Sequence, residues 1–569
     1  MDRSSVGVGF FVYLGREVKM TNNLRKKVGI RGKAGENGER LVRTEHIRES
    51  GPSRFDLKKL AESQAKNGKQ YSVYGLLIDS ASTPQTIRNM PATLSYLERQ
   101  MGAVTFEYLN KVGLNSYPNA MALWFNKQVH DLNRLVYDLP VKKADIPGHE
   151  KICYNYLNKE EFIMHFYEDA GYKTFLAEDW ARGALLWPNC NGFYYQPTTH
   201  FNRPYQILLE ESKKIMSERS RTCMEHHIEL LDYLGKFIES YKGVPKFGWI
   251  WSSEVSHNYL IGSAHMDLDF RNFLLKHREE LDNSFVFFMG DHGLRFGKYS
   301  RTPHGNFEAN NAHLSISIPR ELRSSTEIIS RLRESSKKLQ THYDVFATLR
   351  DIVEFQPSKN YRDYEPMAAA FERGHSFLRH QPEMDRNCKT LGIPFAFCPC
   401  EYNTTRVDKT SKLAESIGRF LIAHIRKSLE KADIVYKCAP VVFETVLEVQ
   451  AYEYMESKKS QLYHVTVKAA PPNNGTFKTV ILKRGSPEDG FNEPSVFGIA
   501  SRTVDRLDFY GASGNCAPYE LAHFCHCIPF STTTQAATRT ATRTTTQTTT
   551  KFVTKEYDPF DVEPYDYLG

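Results

Sequence analysis

The chain has 569 residues, 41% of them apolar and 25% charged. That length can bury a sizeable core without staples, and the composition excludes a disordered tail protein, a collagen-like fibre and a coiled coil. The 74 basic and 67 acidic residues leave a formal charge of +7, too diffuse for the basic stripe of a nucleic-acid binder, so no nucleic-acid partner is expected.

Residues 1–70 are polar and rich in Lys, Arg, Gly and Glu, and read as a poorly ordered leader. The apolar run 6–14 lacks a basic stretch of normal length before it and a clear cleavage site after it, so it makes a poor signal peptide. No stretch approaches the roughly 18 consecutive apolar residues of a membrane-spanning helix. A short apolar run at 71–78 reads as a buried strand of a parallel sheet, ended by Asp79-Ser80. The spacing then predicts a helix over 90–100, a strand over 103–109 and a strand over 173–177 ended by Glu178-Asp179. Mostly helical sequence covers 205–240. Further on come a strand at 247–251, an amphipathic helix at 267–280, a strand at 284–289 ended by Gly290-Asp291-His292-Gly293, and a strand at 313–319. Strands alternating with helices imply an α/β fold, a doubly covered and mostly parallel sheet occupying residues 71–365.

The pattern changes after residue 365. A helix at 410–435 and strands at 441–453, 461–469 and 477–483 predict a smaller C-terminal α+β or β-rich domain over 366–530. Residues 531–569 form a Thr-rich low-complexity tail that cannot pack a core. Seven of the ten cysteines lie beyond residue 380. None forms a CxxC pair, so a zinc ribbon is not expected. Cys398-Pro-Cys400 and Cys525-His-Cys527 fit disulfide partners in an oxidising compartment; reduced core thiols are the alternative. The expectation is that Cys398 or Cys400 is disulfide-bonded. The sequons at Asn403 and Asn474 agree with a secretory route.

Ligands of open α/β sheets bind beyond the carboxyl ends of the strands. Acidic residues stand there after four strands: Asp79, Glu178 with Asp179, Glu254, and Asp291. Carboxylates on a rigid sheet, joined by histidines, make a site for a divalent cation. Two glycines flank Asp291-His292 and permit a kink that turns both side chains to one ion. In Gly113-Leu-Asn115-Ser116-Tyr-Pro118-Asn119, Ser116 stands just before helical sequence. At a helix N-terminus, beside a metal, its hydroxyl would act as a nucleophile; the alternative is a plain N-cap serine. Glu254, His257, Asp267 and His304 would supply a second ion or hold the substrate. Arg295, Lys298 and Asn115 are candidates for binding substrate oxygens.

Asp79, Ser116 and Asp291-His292-Gly293, in that order, resemble the alkaline-phosphatase/sulfatase superfamily. The chain is more particularly similar to an animal family known as domain of unknown function 229. The resemblance is carried by Leu77-Ile-Asp79-Ser80-Ala-Ser82, Met90-Pro91-Ala-Thr93, Val112-Gly113-Leu-Asn115-Ser116-Tyr-Pro118-Asn119, Gly290-Asp291-His292-Gly293-Leu-Arg295-Phe-Gly297, His304-Gly305-Asn-Phe-Glu308 and Tyr343-Asp344. It implies a core binding one or two divalent cations (zinc or manganese), with Asp79, Ser116, Asp291 and His292 as one set and Ser116 as nucleophile. Glu254, His257, Asp267 and His304 fall where relatives place further metal or substrate ligands. It also implies a secreted or extracellular protein. Two departures stand out: Ala309-Asn-Asn-Ala-His313 replaces a Glu and Pro after Glu308, and no Cys-x-Pro-x-Arg block occurs, which disfavours formylglycine sulfatase chemistry.

Two functions follow. The first is metal-dependent hydrolysis or transfer of a phosphate or sulfate ester, its substrate a lipid head group or a glycan. The second is a catalytically degenerate extracellular relative that binds a glycan or a protein.

Overall fold

The computed structural model describes residues 68–528 apart from 138, 146–154, 187–189, 221–223, 368–372, 399–402, 454–459, 485–495, 501–503 and 519–520. The polar leader up to residue 67 and the Thr-rich tail lie outside the described residues.

The apolar runs form the centre of a seven-stranded sheet. Its order is β2(Val104–Thr105), β9(Leu314–Ser317), β7(Phe285–Gly290), β1(Val73–Ile78), β6(Lys246–Ser252), β4(Lys173–Glu178) and β5(His200–Phe201). The five strands from β7 to β5 run parallel, and β9 and β2 close one edge antiparallel. Every residue of β1, β4, β6 and β7 is buried, because helices cover both faces. Alternation then divides the strands between two cores. Val73, Leu77, Phe247, Trp249, Trp251, Phe285, Phe287 and Met289 face one side, with the helix α1(Ser116–Phe125). Tyr74, Leu76, Ile78, Ile250, Val286 and Phe288 face the other, with α2(His226–Ser240) and α3(Asp267–Lys276). Gly75 makes room for this packing, since a Cβ there would stand 2.1 Å from the Trp249 ring.

Three local readings differ from the sequence pattern. The stretch 103–109 is two short strands, not one. β2 joins the large sheet through β9, while β3(Leu109–Asn110) pairs with β10(Gln340–Thr341) and β8(Asn311–Ala312). Each neighbour offers partners for only two residues, so the chain passes from one sheet to the other. The helix expected at 90–100 is preceded by a separate helix, Thr83–Asn89, and itself spans Pro91–Arg99. Pro91 lacks an amide hydrogen and suits the first position of the new helix. The helix expected over 267–280 ends at Lys276, and a second short helix covers Arg278–Leu281.

The C-terminal sheet is antiparallel throughout. Its order is β11(Thr404–Arg406), β12(Phe443–Tyr452), β13(Ser460–Ala469), β14(Thr476–Arg484) and β15(Phe497–Ile499), with β16(Asp505–Arg506) on β14. The helix α4(Lys412–Lys431) covers one face through Ile417, Leu421 and Ile425, against Val449, Val465, Val467 and Ile481. Leu462, Val480 and Leu482 on the other face pack against Val136 and Phe395. Both regions therefore belong to one compact unit that extends to Cys527. Among the described residues, three disulfides lie in this half: Cys388–Cys398, Cys438–Cys525 and Cys516–Cys527. The expectation for Cys398 is met; Cys400 lies outside the described residues.

Candidate metal centre

The parallel register brings three strand ends side by side. Ile78 of β1 is level with Ser252 of β6 on one flank and Gly290 of β7 on the other. The residues that follow, Asp79, Ser253 and Asp291, therefore emerge together. Ser80 turns the chain sharply, with a left-handed φ of 60°, a conformation costing about 1 kcal/mol outside glycine. This aims its amide at Asp291, which accepts the hydrogen bond at 3.0 Å. Gly290 and Gly293 do not supply a left-handed kink. They are required by close approach instead, since Cβ atoms there would lie 2.1 Å from the Ala81 carbonyl oxygen and 1.9 Å from that of Glu308.

Ser116 is the first residue of α1, with Asn115 as its cap. The buried Asn119 side chain ties down the preceding turn. Its Oδ1 accepts from the amides of Val112 (2.9 Å) and Gly113 (3.1 Å), and its Nδ2 donates to the carbonyl of Asn115 at 3.0 Å. Gly113 is needed because Pro118 packs directly on it, 2.2 Å from where a Cβ would stand. The result is a Ser116 hydroxyl that donates to Asp79 Oδ2 at 3.2 Å. The same oxygen accepts from Trp251 Nε1 at 3.3 Å and Ser253 Oγ at 3.0 Å.

Asp79, Asp291 and His292 each offer one ligand atom within 4.8 Å of the others, and all three are buried. His292 Nδ1 lies 2.9 Å from the Gly293 carbonyl. A carbonyl can only accept, so Nδ1 carries the proton and Nε2 presents a lone pair. That Nε2 faces Asp291 Oδ2 at 3.3 Å, and neither atom has a hydrogen-bond partner. Burial, then the Asp79 charge, push the Asp291 carboxyl well above its usual range. Burial, then the charges of Arg295 and Lys111, push His292 well below its ordinary value. Two buried electron-rich atoms facing each other are stabilised by a cation between them, and a neutral imidazole is the form that binds one. The donors present therefore fit a divalent metal.

None of the other sequence candidates among the described residues joins this trio of mutually close ligand atoms. Asp267 is held at the start of the Pro91–Arg99 helix, where its carboxylate accepts from the amides of Ala92 (2.9 Å) and Thr93 (2.7 Å). His304 is exposed on α5(Pro303–Asn310), and Glu254 is exposed on the loop after β6. His257 is half-buried, with Nδ1 2.8 Å from Asn258 Oδ1 and its ring near Phe296. Arg295 is buried beside Asp505 at 3.7 Å, whereas Lys298 is exposed. Asp179 accepts from Ser252 Oγ (2.7 Å) and the Ser253 amide (2.6 Å), so it braces the loop that carries Ser253. Glu178 accepts from the Ala184 amide at 2.7 Å. Burial raises both carboxyls to about 7. Glu308 is neutralised by a two-pronged pair with Arg88, at 2.8 Å on each oxygen. Sequence reasoning did not single out Trp251 and Ser253, although the strand-end rule that found Glu254 points one residue away from Ser253.

A mostly parallel sheet with a serine and metal-type donors gathered at its strand ends defines an α/β protein with a candidate metal centre. The chain belongs to the family described as "Protein of unknown function (DUF229)", which matches residues 27–447. No curated protein matches it. Among solved structures it is similar to a protein in the alkaline phosphatase superfamily from Vibrio parahaemolyticus, at 11% identity and TM-score 0.34, over 83% of this chain and 94% of that one. It is also similar to the soluble domain of lipooligosaccharide phosphoethanolamine transferase A from Neisseria meningitidis (11%, TM-score 0.34, 51% and 90%). A third is the C-terminal periplasmic domain of EcEptC from Escherichia coli, in complex with Zn (11%, TM-score 0.32, 58% and 97%). No helix of the described residues is long and apolar enough to cross a membrane.

Proposed function

We propose that this protein transfers or hydrolyses a phosphate ester, with Ser116 as nucleophile and a divalent cation held by Asp79, Asp291 and His292. The observation that carries the reading is the buried, unpartnered pair of Asp291 Oδ2 and His292 Nε2 beside the Ser116 hydroxyl. A cation there supplies charge stabilisation to the transferring group and favours the ionised serine. The chain's own residues do the rest. The first turn of α1 points amides toward the anion. Ser116 Oγ attacks phosphorus as the bond to the leaving alcohol breaks, and the hydroxyl proton is held at Asp79 Oδ2. Trp251 and Ser253 fix that carboxylate in place. A lipid head group or a glycan is the expected carrier of the ester. The described disulfides favour an oxidising compartment.

The test is metal analysis joined to two variants. The purified chain should hold a stoichiometric zinc or manganese ion and cleave an aryl phosphate or phosphodiester. His292→Ala should lose the ion. Ser116→Ala should keep it while activity falls at least about a thousandfold. Full activity in Ser116→Ala refutes the nucleophile. That Asp267 and His304 do not join the trio favours a second reading as a non-catalytic binder; a metal-free chain with no turnover would support it.

A further inference from the structure

The C-terminal sheet meets the α/β region through one face of β13 and β14, and alternation determines which side chains that face carries. On β13 they include Leu462 and His464; on β14 they are Lys478, Val480 and Leu482. Leu462, Val480 and Leu482 pack against Val136 and Phe395 as expected of a docking face. Lys478 and His464 occupy the same face, since His464 pairs with Val480, two residues along β14 from Lys478. A lysine there has no packing purpose. It lines a small cleft of about 30 Å³ whose lining also includes Lys111, Arg295, Asn306 and Asp505.

This cleft is rich in positive charge. Lys111, just after β3, is 1% exposed, and its Nζ sits 4.6 Å from the centre of the Phe397 ring. Arg295 is 5% exposed, and its Nε has no hydrogen-bond partner. Lys478 Nζ donates to Asn306 Oδ1. Against three cations the lining offers one carboxylate, Asp505, which lies 3.7 Å from Arg295. Burial pushes the Lys111 ammonium down to about 7 and that of Lys478 to about 8. Cations are rarely gathered in a low-dielectric cleft without an anion to share.

We infer that this cleft binds a tetrahedral dianion, a phosphate or sulfate group, held by Lys111, Arg295 and Lys478. The C-terminal sheet thereby takes part in recognition. The charges of Lys111 and Arg295 also act on the His292 ring, so the cleft adjoins the metal centre. As a subsite for a second anionic group of the substrate, the inference rests on the phosphate-ester reading; as an anion site, it stands without it.

The experiment titrates the full chain with inorganic phosphate in the presence of a chelator, so that metal-mediated binding is removed. Saturable binding is expected. It should weaken about tenfold or more in Lys478→Gln and in Lys111→Gln, persist in Lys478→Arg, and be unchanged in Ser116→Ala. Thermal melts of each variant establish that the fold is kept. Phosphate affinity indifferent to both Gln variants, equal loss in Lys478→Arg and Lys478→Gln, or no saturable binding overturns the site. Glycerol phosphate in a parallel titration separates sources: tighter binding than free phosphate marks a substrate-borne group, weaker binding the free ion, and either ordering supports the cleft. The catalytic reading fails separately. An active Ser116→Ala with intact phosphate binding removes the nucleophile and leaves the cleft.

Discussion

The α/β region buries every residue of its four central strands, whereas β12 of the C-terminal sheet buries only Val446 and Val449. The first region is covered by helices on both faces and has a tryptophan cluster at its centre, Trp124 against Trp249 and Trp251. The second has one covering helix and borrows its other cover from the first. Three disulfides reinforce that poorer half. Cys190 in the α/β core is disulfide-bonded as well, so the two regions differ in how much surface their strands bury and not in the presence of covalent linkage.

The sharpest way to break this contrast is reduction. Cys438–Cys525 closes a loop spanning 87 residues, worth about 4–5 kcal/mol as lost chain entropy of the unfolded state. Cys438→Ser should therefore lower the melting of the C-terminal sheet while hydrogen exchange in β1 and β7 stays slow; equal loss of protection in both halves would contradict it. A smaller effect probes the α/β side. Burial raises Glu178 to about 7, so its stabilising protonated form is present below the ordinary carboxyl value and is lost as pH rises through 7. Glu178→Gln keeps the acceptor for Ala184 and should stabilise the chain by about 2–3 kcal/mol at pH 8, with the gain shrinking toward pH 5. A denaturant midpoint shift independent of pH would refute the assignment. Smallest is the cap of α4. Ser411 accepts from the Ala414 amide at 3.2 Å, and Ser411→Ala should cost about 1 kcal/mol, read in the C-terminal transition and not in the α/β one.

The sheet-forming runs were plain in the sequence because parallel strands buried on both faces are apolar at every position. The strand at 103–109 was not, since hydrophobicity does not record which neighbour a backbone pairs with. Asp79, Ser116, Asp291 and His292 could be named together because strand ends and a helix start are local features. Asp267 and His304 were named only as further metal or substrate ligands, and their directions are decided by contacts with Ala92 and Thr93 and by the exposed turn of α5. Lys111 and Lys478 gave no signal at all. They stand far apart in the chain, on different sheets, and each is an ordinary lysine until the fold surrounds it.

The pairing of β12 with β13 has a practical consequence for anyone dividing this molecule. The family match stops at residue 447, inside β12, yet β13 pairs along that strand from Phe443 to Ala451. A chain trimmed at the match would keep half a strand with a row of unpaired amides and carbonyls. It would also lose Cys516, Cys525 and Cys527, leaving Cys438 without its partner. Open strand edges recruit other chains, so such a fragment would precipitate or swap strands between copies, and its failure to act would say nothing about the proposed activity.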